Sequence, residues 1–368
     1  MRVANYASQR KTPVKISVSY HSAIDLLLAL WILREQKAGD GIADLDLGTE
    51  WLEELDAGLS KETRVDVESL ASGDVWIALV AMLPEAGQGG SVADFIEFID
   101  SQDSVELRSR LTQCYDLFDD SKLSLIESAA RGESGAADEL LSADMFDKPK
   151  MKRWSETLRF ILEMSPDETK ELLVRTMSGF QKDVFATHEE SFRKQLESDY
   201  TAKSSMASQV SPERLIEIAT SGITVSDETV SRPIVLMPTM VARPWVVISP
   251  GADFDVYGYS VADECLDLDP DAPPPWIVKV FKALGDERRL RILRSLADGD
   301  ASLAELAKDA DIAKSTMHHH LMLLRAAGLV NVEVGHDKKY SLRETTPTEA
   351  ASVLSHYMHP AHESKDIA

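Results

Sequence analysis

The chain has 368 residues, 44% apolar and 27% charged, with a formal net charge of −23. That is the make-up of a globular protein long enough for two or three domains with a sizeable core. Two distant cysteines, Cys114 and Cys265, exclude a disulfide framework and a cysteine zinc site, and the longest apolar run, 23–33, is interrupted by Asp25 and too short to span a bilayer.

Along the chain, Val14, Ile16, Val18 and Tyr20 alternate with Lys15, Ser17 and Ser19. This reads as a strand over 14–20 rather than a basic targeting segment. A Leu-rich helix with Trp31 follows over 22–36. Shorter helical patterns lie near 50–58, 62–71, 74–83, 91–101, 104–117, 121–131 and 136–143. The loop 84–91 is glycine-rich but lacks the Gly-Lys-Ser/Thr ending of a phosphate cradle. A helix over 152–164 precedes a long one that starts at Pro166 and runs to about Ser205. Segments 223–225, 233–241, 245–249 and 254–259 are β-rich and broken by Pro, Gly and Asp, which predicts a small antiparallel sheet that the first strand could join. The stretch 263–275 is acidic and proline-rich, the composition of a stiff linker.

Residues 280–342 are the most informative. Three short helices are followed by the strand pair 330–334 and 339–342, with Gly335-His336-Asp337-Lys338 between them: a winged helix-turn-helix. In the third helix Met317, His320, Leu321, Leu324 and Gly328 form one inward stripe. Lys314, Ser315, His318, His319 and Met322 are left on other faces. Ser315 and Thr316 can serve the orphan N–H groups at its start, and Gly328 can end it in a left-handed turn. Ser302, with Glu305 three residues on, is the expected cap of the helix before it.

The charge is unevenly divided. Residues 276–343 hold 12 Lys and Arg against 9 Asp and Glu, and the other 300 hold 27 against 53. A basic module thus sits in an acidic protein, and the acidic remainder should repel DNA.

Residues 276–343 resemble the DNA-binding domain of the ArsR family of bacterial winged-helix regulators. The resemblance rests on Ala283-Leu284-Gly285-Asp286, Arg288-Arg289-Leu290-Arg291-Ile292-Leu293, Ser315-Thr316, His319-His320-Leu321 and 324–330. It covers under a fifth of the chain. The layout, with the strand block at 233–240 and Arg243-Pro244-Trp245, also resembles the long members that carry an uncharacterised helical domain in front. Metal-sensing members carry cysteines in the helix before the recognition helix, and 302–309 has none.

The expected fold is therefore mainly α with small antiparallel β. Residues 1–262 form a helical domain with a β-meander for sensing or dimerisation, 263–275 a linker, 276–343 the winged helix, and 344–368 a C-terminal helix and tail. The resemblance implies a homodimer that reads palindromic double-stranded DNA as a transcription regulator, commonly a repressor, in a bacterial cytoplasm. Ser302, Lys314, Ser315, Thr316, Lys338 and Lys339 are the candidate phosphate contacts, with Ser315 and Thr316 also within reach of base edges. His318 and His319 are the candidate base contacts.

Three histidines in succession, His318–His320, point about 100° apart on a helix and cannot close on one ion. His356, His359, His362 and Glu363 lack the Asp-x-His that zinc-sensing relatives pair with such a cluster. No metal or cofactor is expected. A small-molecule effector of the N-terminal domain is expected, and the sequence also admits a protein-interaction scaffold there. Trp31, Trp76 and Trp154 read as core, and His21, Asp183 and His188 align with no nucleophile, so no enzymatic activity is expected.

Overall fold

The computed structural model describes residues 14–37, 45–113, 120–142, 149–225, 232–267, 272–333, 338–343 and 345–358. In chain order the described elements begin with β1 (Ile16–Val18), α1 (Ala23–Lys37), α2 (Gly48–Gly58), α3 (Lys61–Ser69), α4 (Asp74–Val80), α5 (Val92–Ser101) and α6 (Ser104–Thr112). Then come α7 (Leu123–Arg131), α8 (Ala136–Leu141), α9 (Pro149–Glu163), α10 (Pro166–Phe180), α11 (Ala186–Ala207) and α12 (Pro212–Ala219). Strands β2 (Ile223–Thr224), β3 (Ile234–Thr239), β4 (Val247–Pro250) and β5 (Asp255–Ser260) follow. The last part holds α13 (Pro275–Leu284), α14 (Glu287–Leu296), β6 (Ala301–Ser302), α15 (Leu303–Asp309), α16 (Lys314–Ala326), β7 (Val330–Glu333), β8 (Lys339–Leu342) and α17 (Thr345–Met358). The protein is mainly α, as its sequence predicts.

The chain divides into two compact units. The first comprises the described residues within 17–205 and 234–266. Its centre is α1, in which Ala23 to Leu30, Ile32 and Leu33 are all buried. A helix that is apolar on every side belongs inside a core. The exception is Asp25, fully buried, whose Oδ1 accepts hydrogen bonds from the Thr239 hydroxyl and from the N–H groups of Met240 (2.9 Å) and Val241 (3.0 Å). The first turn of α1 is thereby fixed to the end of β3. Arg108 on α6 is also buried and donates to the carbonyls of Ala129, Ala130 and Ile161, tying the end of α7 to α9. Trp76 and Trp154 lie in the core as expected, and Trp31 packs at its edge.

The long helix expected from Pro166 runs to Ala207 through one π-helical turn, Gln181–Phe185. Ser165 starts it with a capping box, and Pro166 occupies its first turn. In the π turn, Asp183 accepts from the Ser60 N–H (2.9 Å) and the Thr63 hydroxyl (2.6 Å), so it caps α3. In the loop at 84–91, Gly89 and Gly90 are required by packing. A Cβ at Gly90 would come within 2.5 Å of the His21 ring, and one at Gly89 within 2.9 Å of the Tyr20 hydroxyl.

The sheet of this unit has the order β1-β3-β5-β4. It joins the first strand as foreseen, and β4 and β5 run antiparallel. β3 and β5 pair in parallel over six residues. The linker expected over 263–275 also begins later than its composition suggests. Asp263–Cys265 form a 3-10 turn, and Asp263 pairs with the buried Arg243 guanidinium at 2.6 Å. Residues 268–271 of that segment lie outside the described residues.

The second unit is built mainly from described residues within 206–233 and 267–368. Here the expected boundary at 262 is corrected: α12 and β2 leave the helical domain and join the winged helix. β2 pairs with β7, in a sheet of order β2-β7-β8-β6. The physical reason is that β2 is short, with Ile223 buried and a backbone that the free edge of β7 can pair. Ile277, Val280, Ile292, Leu296, Leu306 and Leu321 are among the buried residues that fill this unit's core.

Candidate nucleic-acid interface

Within the second unit, α14, α15 and α16 form the helix-turn-helix, and β7 with β8 form the wing. Each helix start has a local cause. Asp286 caps α14 by accepting from the Arg289 N–H (3.0 Å), which also holds its carboxyl below the usual range. Ser302 caps α15 in a full capping box with Glu305. The α15 start is thus internally satisfied, and the Ser302 N–H holds the Glu305 carboxyl below its ordinary range. A phosphate there would have to share the position with a carboxylate.

α16 differs. Its N-cap is Ala313, and no side chain caps it. Ser315 and Thr316 stand second and third in the helix, past the position from which a side chain caps. The expectation that they close the helix start is corrected on that ground. The first N–H groups of α16 are left for an outside acceptor, with Lys314 beside them and no acidic residue in the first turn. Together with the helix dipole, that is an anion-accepting end.

The two faces of α16 separate as its periodicity predicts. Met317, His320, Leu321 and Leu324 are buried. Lys314, Ser315, His318 and His319 are exposed, and Thr316 is half-buried. His320 is a core histidine. Burial pushes its pKa down, and the nearby Asp286 pulls the other way. Gly328, at φ +68°, ends the helix. Its N–H reaches Arg325 O, and the Leu329 N–H reaches Leu324 O at 2.9 Å, as in a Schellman turn.

The wing contributes a second group. Lys339 on β8 is exposed and stands in register with Ser302 on β6, and Lys338 precedes it. Residues 334–337, including His336, lie outside the described residues. So do His359, His362 and Glu363, and nothing describes the His356 side chain. A cleft of about 660 Å³ opens on this unit between Arg288, Arg291 and Ile292 of α14 and Leu306, Asp309 and Ile312. The structure thus brings the expected contacts into two groups, one at the start of α16 and one at the wing root.

Arg325 was not singled out by its sequence position, yet it is buried with its guanidinium donating to Thr220 O at 2.8 Å. The available signal was a long cation four residues after Leu321, on the apolar side of α16.

A family model described as bacterial regulatory protein, arsR family, matches residues 286–332. The transcriptional activator HlyU of Vibrio cholerae is 33% identical over 82 residues, which is 22% of this chain and 76% of that protein. The HTH-type transcriptional regulator YceK of Bacillus subtilis is 41% identical over 71 residues, 18% of this chain and 71% of that protein. The transcriptional repressor SdpR of Bacillus subtilis is 36% identical over 52 residues, 14% and 58%. No solved structure matches.

Proposed function

From the premise that this chain belongs to the ArsR family of bacterial regulatory proteins, whose members bind DNA to regulate transcription, we propose that it is a homodimeric repressor that reads a palindromic operator. The observation that carries this reading is the start of α16: an uncapped helix end with Lys314, Ser315, His318 and His319 exposed on it. Placed in the major groove, the free N–H groups and Lys314 meet phosphate, Ser315 and Thr316 meet phosphate or base edges, and His318 and His319 face base edges. Lys338 and Lys339 on the wing meet flanking phosphates. Ser302 contributes through its position opposite Lys339. The dimer is supported by exposed apolar side chains on two helices that pack together, Phe281 of α13 and Tyr357 and Met358 of α17. We place the protein in the cytoplasm, where its DNA is. Its large first unit senses a small-molecule effector in this reading, and no enzymatic activity is assigned to it. Among the relatives HlyU is named an activator and SdpR a repressor, so repression is the part of the proposal they divide on.

Genome-wide mapping of DNA bound by the full-length protein tests the proposal. Discrete sites upstream of genes, sharing an inverted repeat, are expected, whereas uniform coverage would exclude sequence-specific regulation. Salt dependence tests the phosphate assignments. With Lys314, Lys338 and Lys339 on each of two protomers, about six phosphates give a log–log slope of about −5. Lys339→Ala should flatten that slope by about two. An unchanged slope would remove Lys339 from the interface.

A further inference from the structure

We propose that Pro212–Thr224 is a working part of the DNA-reading module and that Arg325 is a positioning residue, holding the recognition helix α16 in its DNA-binding pose through that segment. The proposal rests on the reading of α16 as the DNA-contacting helix.

Three contacts join the segment to the module. The first is at α16 itself. The Arg325 side chain is 3% exposed, and its Nη1 donates to Thr220 O at 2.8 Å. An arginine deprived of water holds its place only where an acceptor is fixed for it. That acceptor is fixed: the Thr220 hydroxyl donates to Ile216 O and accepts from the Ile223 N–H at 3.0 Å, so the turn carrying the Thr220 carbonyl is closed on itself. The second contact is at Gly222, where φ is +110°. A Cβ there would lie 2.8 Å from Asn331 Oδ1 and 3.0 Å from Val330 O, so only glycine lets the segment approach β7 this closely. The third is the strand pair. Gly222 O accepts from the Val332 N–H at 2.7 Å, and Ile223 and Thr224 run parallel to Val332 and Glu333.

Behind these contacts, Leu215, Ile216 and Ala219 give α12 a buried face. The segment therefore covers what would be an open edge of the wing sheet and ties the last turn of α16 to the first wing strand. The outward residues at the start of α16 share one rigid helix with Arg325, so a tilt at its C-terminal end displaces them. Base contacts need placement to within about 0.5 Å, whereas non-specific phosphate attraction tolerates displacement.

The test uses the full-length protein, a duplex carrying the site enriched by selection, and a scrambled duplex of the same length. Arg325→Met removes the donor at similar length, Arg325→Lys restores a cation, and Gly222→Val detaches the segment without touching α16. Arg325→Met and Gly222→Val should each weaken binding of the enriched duplex at least tenfold while binding of the scrambled duplex stays within twofold. Arg325→Lys should recover part of the loss. A merely structural role would lower the melting temperature and leave the folded fraction binding as the wild type does, and that result overturns the proposal. Should the variants fail to fold, hydrogen exchange on the wild type decides: the Val332 amide should be as protected as those pairing β7 with β8, and fast exchange there shows the segment is not held. A wild-type protein that discriminates no duplex would overturn the reading of α16 as the DNA helix; slow Val332 exchange beside that result would show the segment attached but without this role.

Discussion

Replacing His318 and His319 together by glutamate is expected to abolish specific DNA binding while leaving the fold intact. Both side chains are exposed on α16, so the substitution should change stability by no more than about 0.5 kcal/mol. A base contact is worth about 1–3 kcal/mol, and the pair is present on both protomers of the proposed dimer. The replacements also set carboxylates beside phosphate. A loss of about 4 kcal/mol, or about a thousandfold in affinity, is the expected size. Titration of a labelled duplex by fluorescence anisotropy measures it, with circular dichroism as the check on folding. Affinity within tenfold of wild type would take these histidines out of the interface.

The second large effect is expected at Asp25, and it concerns stability. Asp25→Ala would leave the Thr239 hydroxyl and the Met240 and Val241 N–H groups buried without an acceptor. At about 1–2 kcal/mol for each of the three groups, the loss should be about 3–6 kcal/mol, a large part of a typical domain's stability. The same site sets a pH dependence. Burial raises the Asp25 pKa to about 6 from 3.8, opposed by its three hydrogen bonds. A raised carboxyl pKa adds stability that is full below about pH 4 and is lost as pH rises through 6. His21, buried nearby in sequence, runs the other way. Burial lowers its pKa to about 4, so its contribution is present above about 6.5 and is lost as pH falls through 4. The two nearly cancel between pH 4 and 6.5. Asp25→Asn removes one of them. The stability difference between wild type and Asp25→Asn should therefore change by about 3 kcal/mol across that window, the wild type gaining relative to the variant toward acid pH. Denaturant titrations at pH 4, 5, 6 and 7 would show it, and a constant difference would mean Asp25 does not titrate as its burial implies.

The DNA-reading unit was legible in the sequence because its signals are local. The stripe of α16, the Ser302–Glu305 box and the Gly328 turn each depend on residues within a few positions of one another, and each appears as read. The α1 helix was equally clear, since a Leu-rich stretch of about fifteen residues is longer than most strands. What escaped depends on contacts distant in sequence. β2 pairs with β7 over a separation of about a hundred residues, and two residues of strand carry no register signal. The parallel pairing of β3 with β5 likewise has no mark in either strand. Arg325 looked like an ordinary basic residue near a helix C-terminus, because its acceptor is the backbone carbonyl of Thr220, just after α12. The cap of α16 was misplaced for a subtler reason. Ser315 and Thr316 are capping residue types, but the helix begins before them, at Lys314.

The central claim is that α16 and the wing read a specific palindrome. Selection from a library of random DNA duplexes by the full-length protein tests it most directly. The account expects enrichment of an inverted repeat whose half-sites lie about one helical turn, 10–10.5 base pairs, apart, and loss of that enrichment in the His318→Glu/His319→Glu variant. A library that emerges unchanged, or a site equally enriched by the variant, would contradict it.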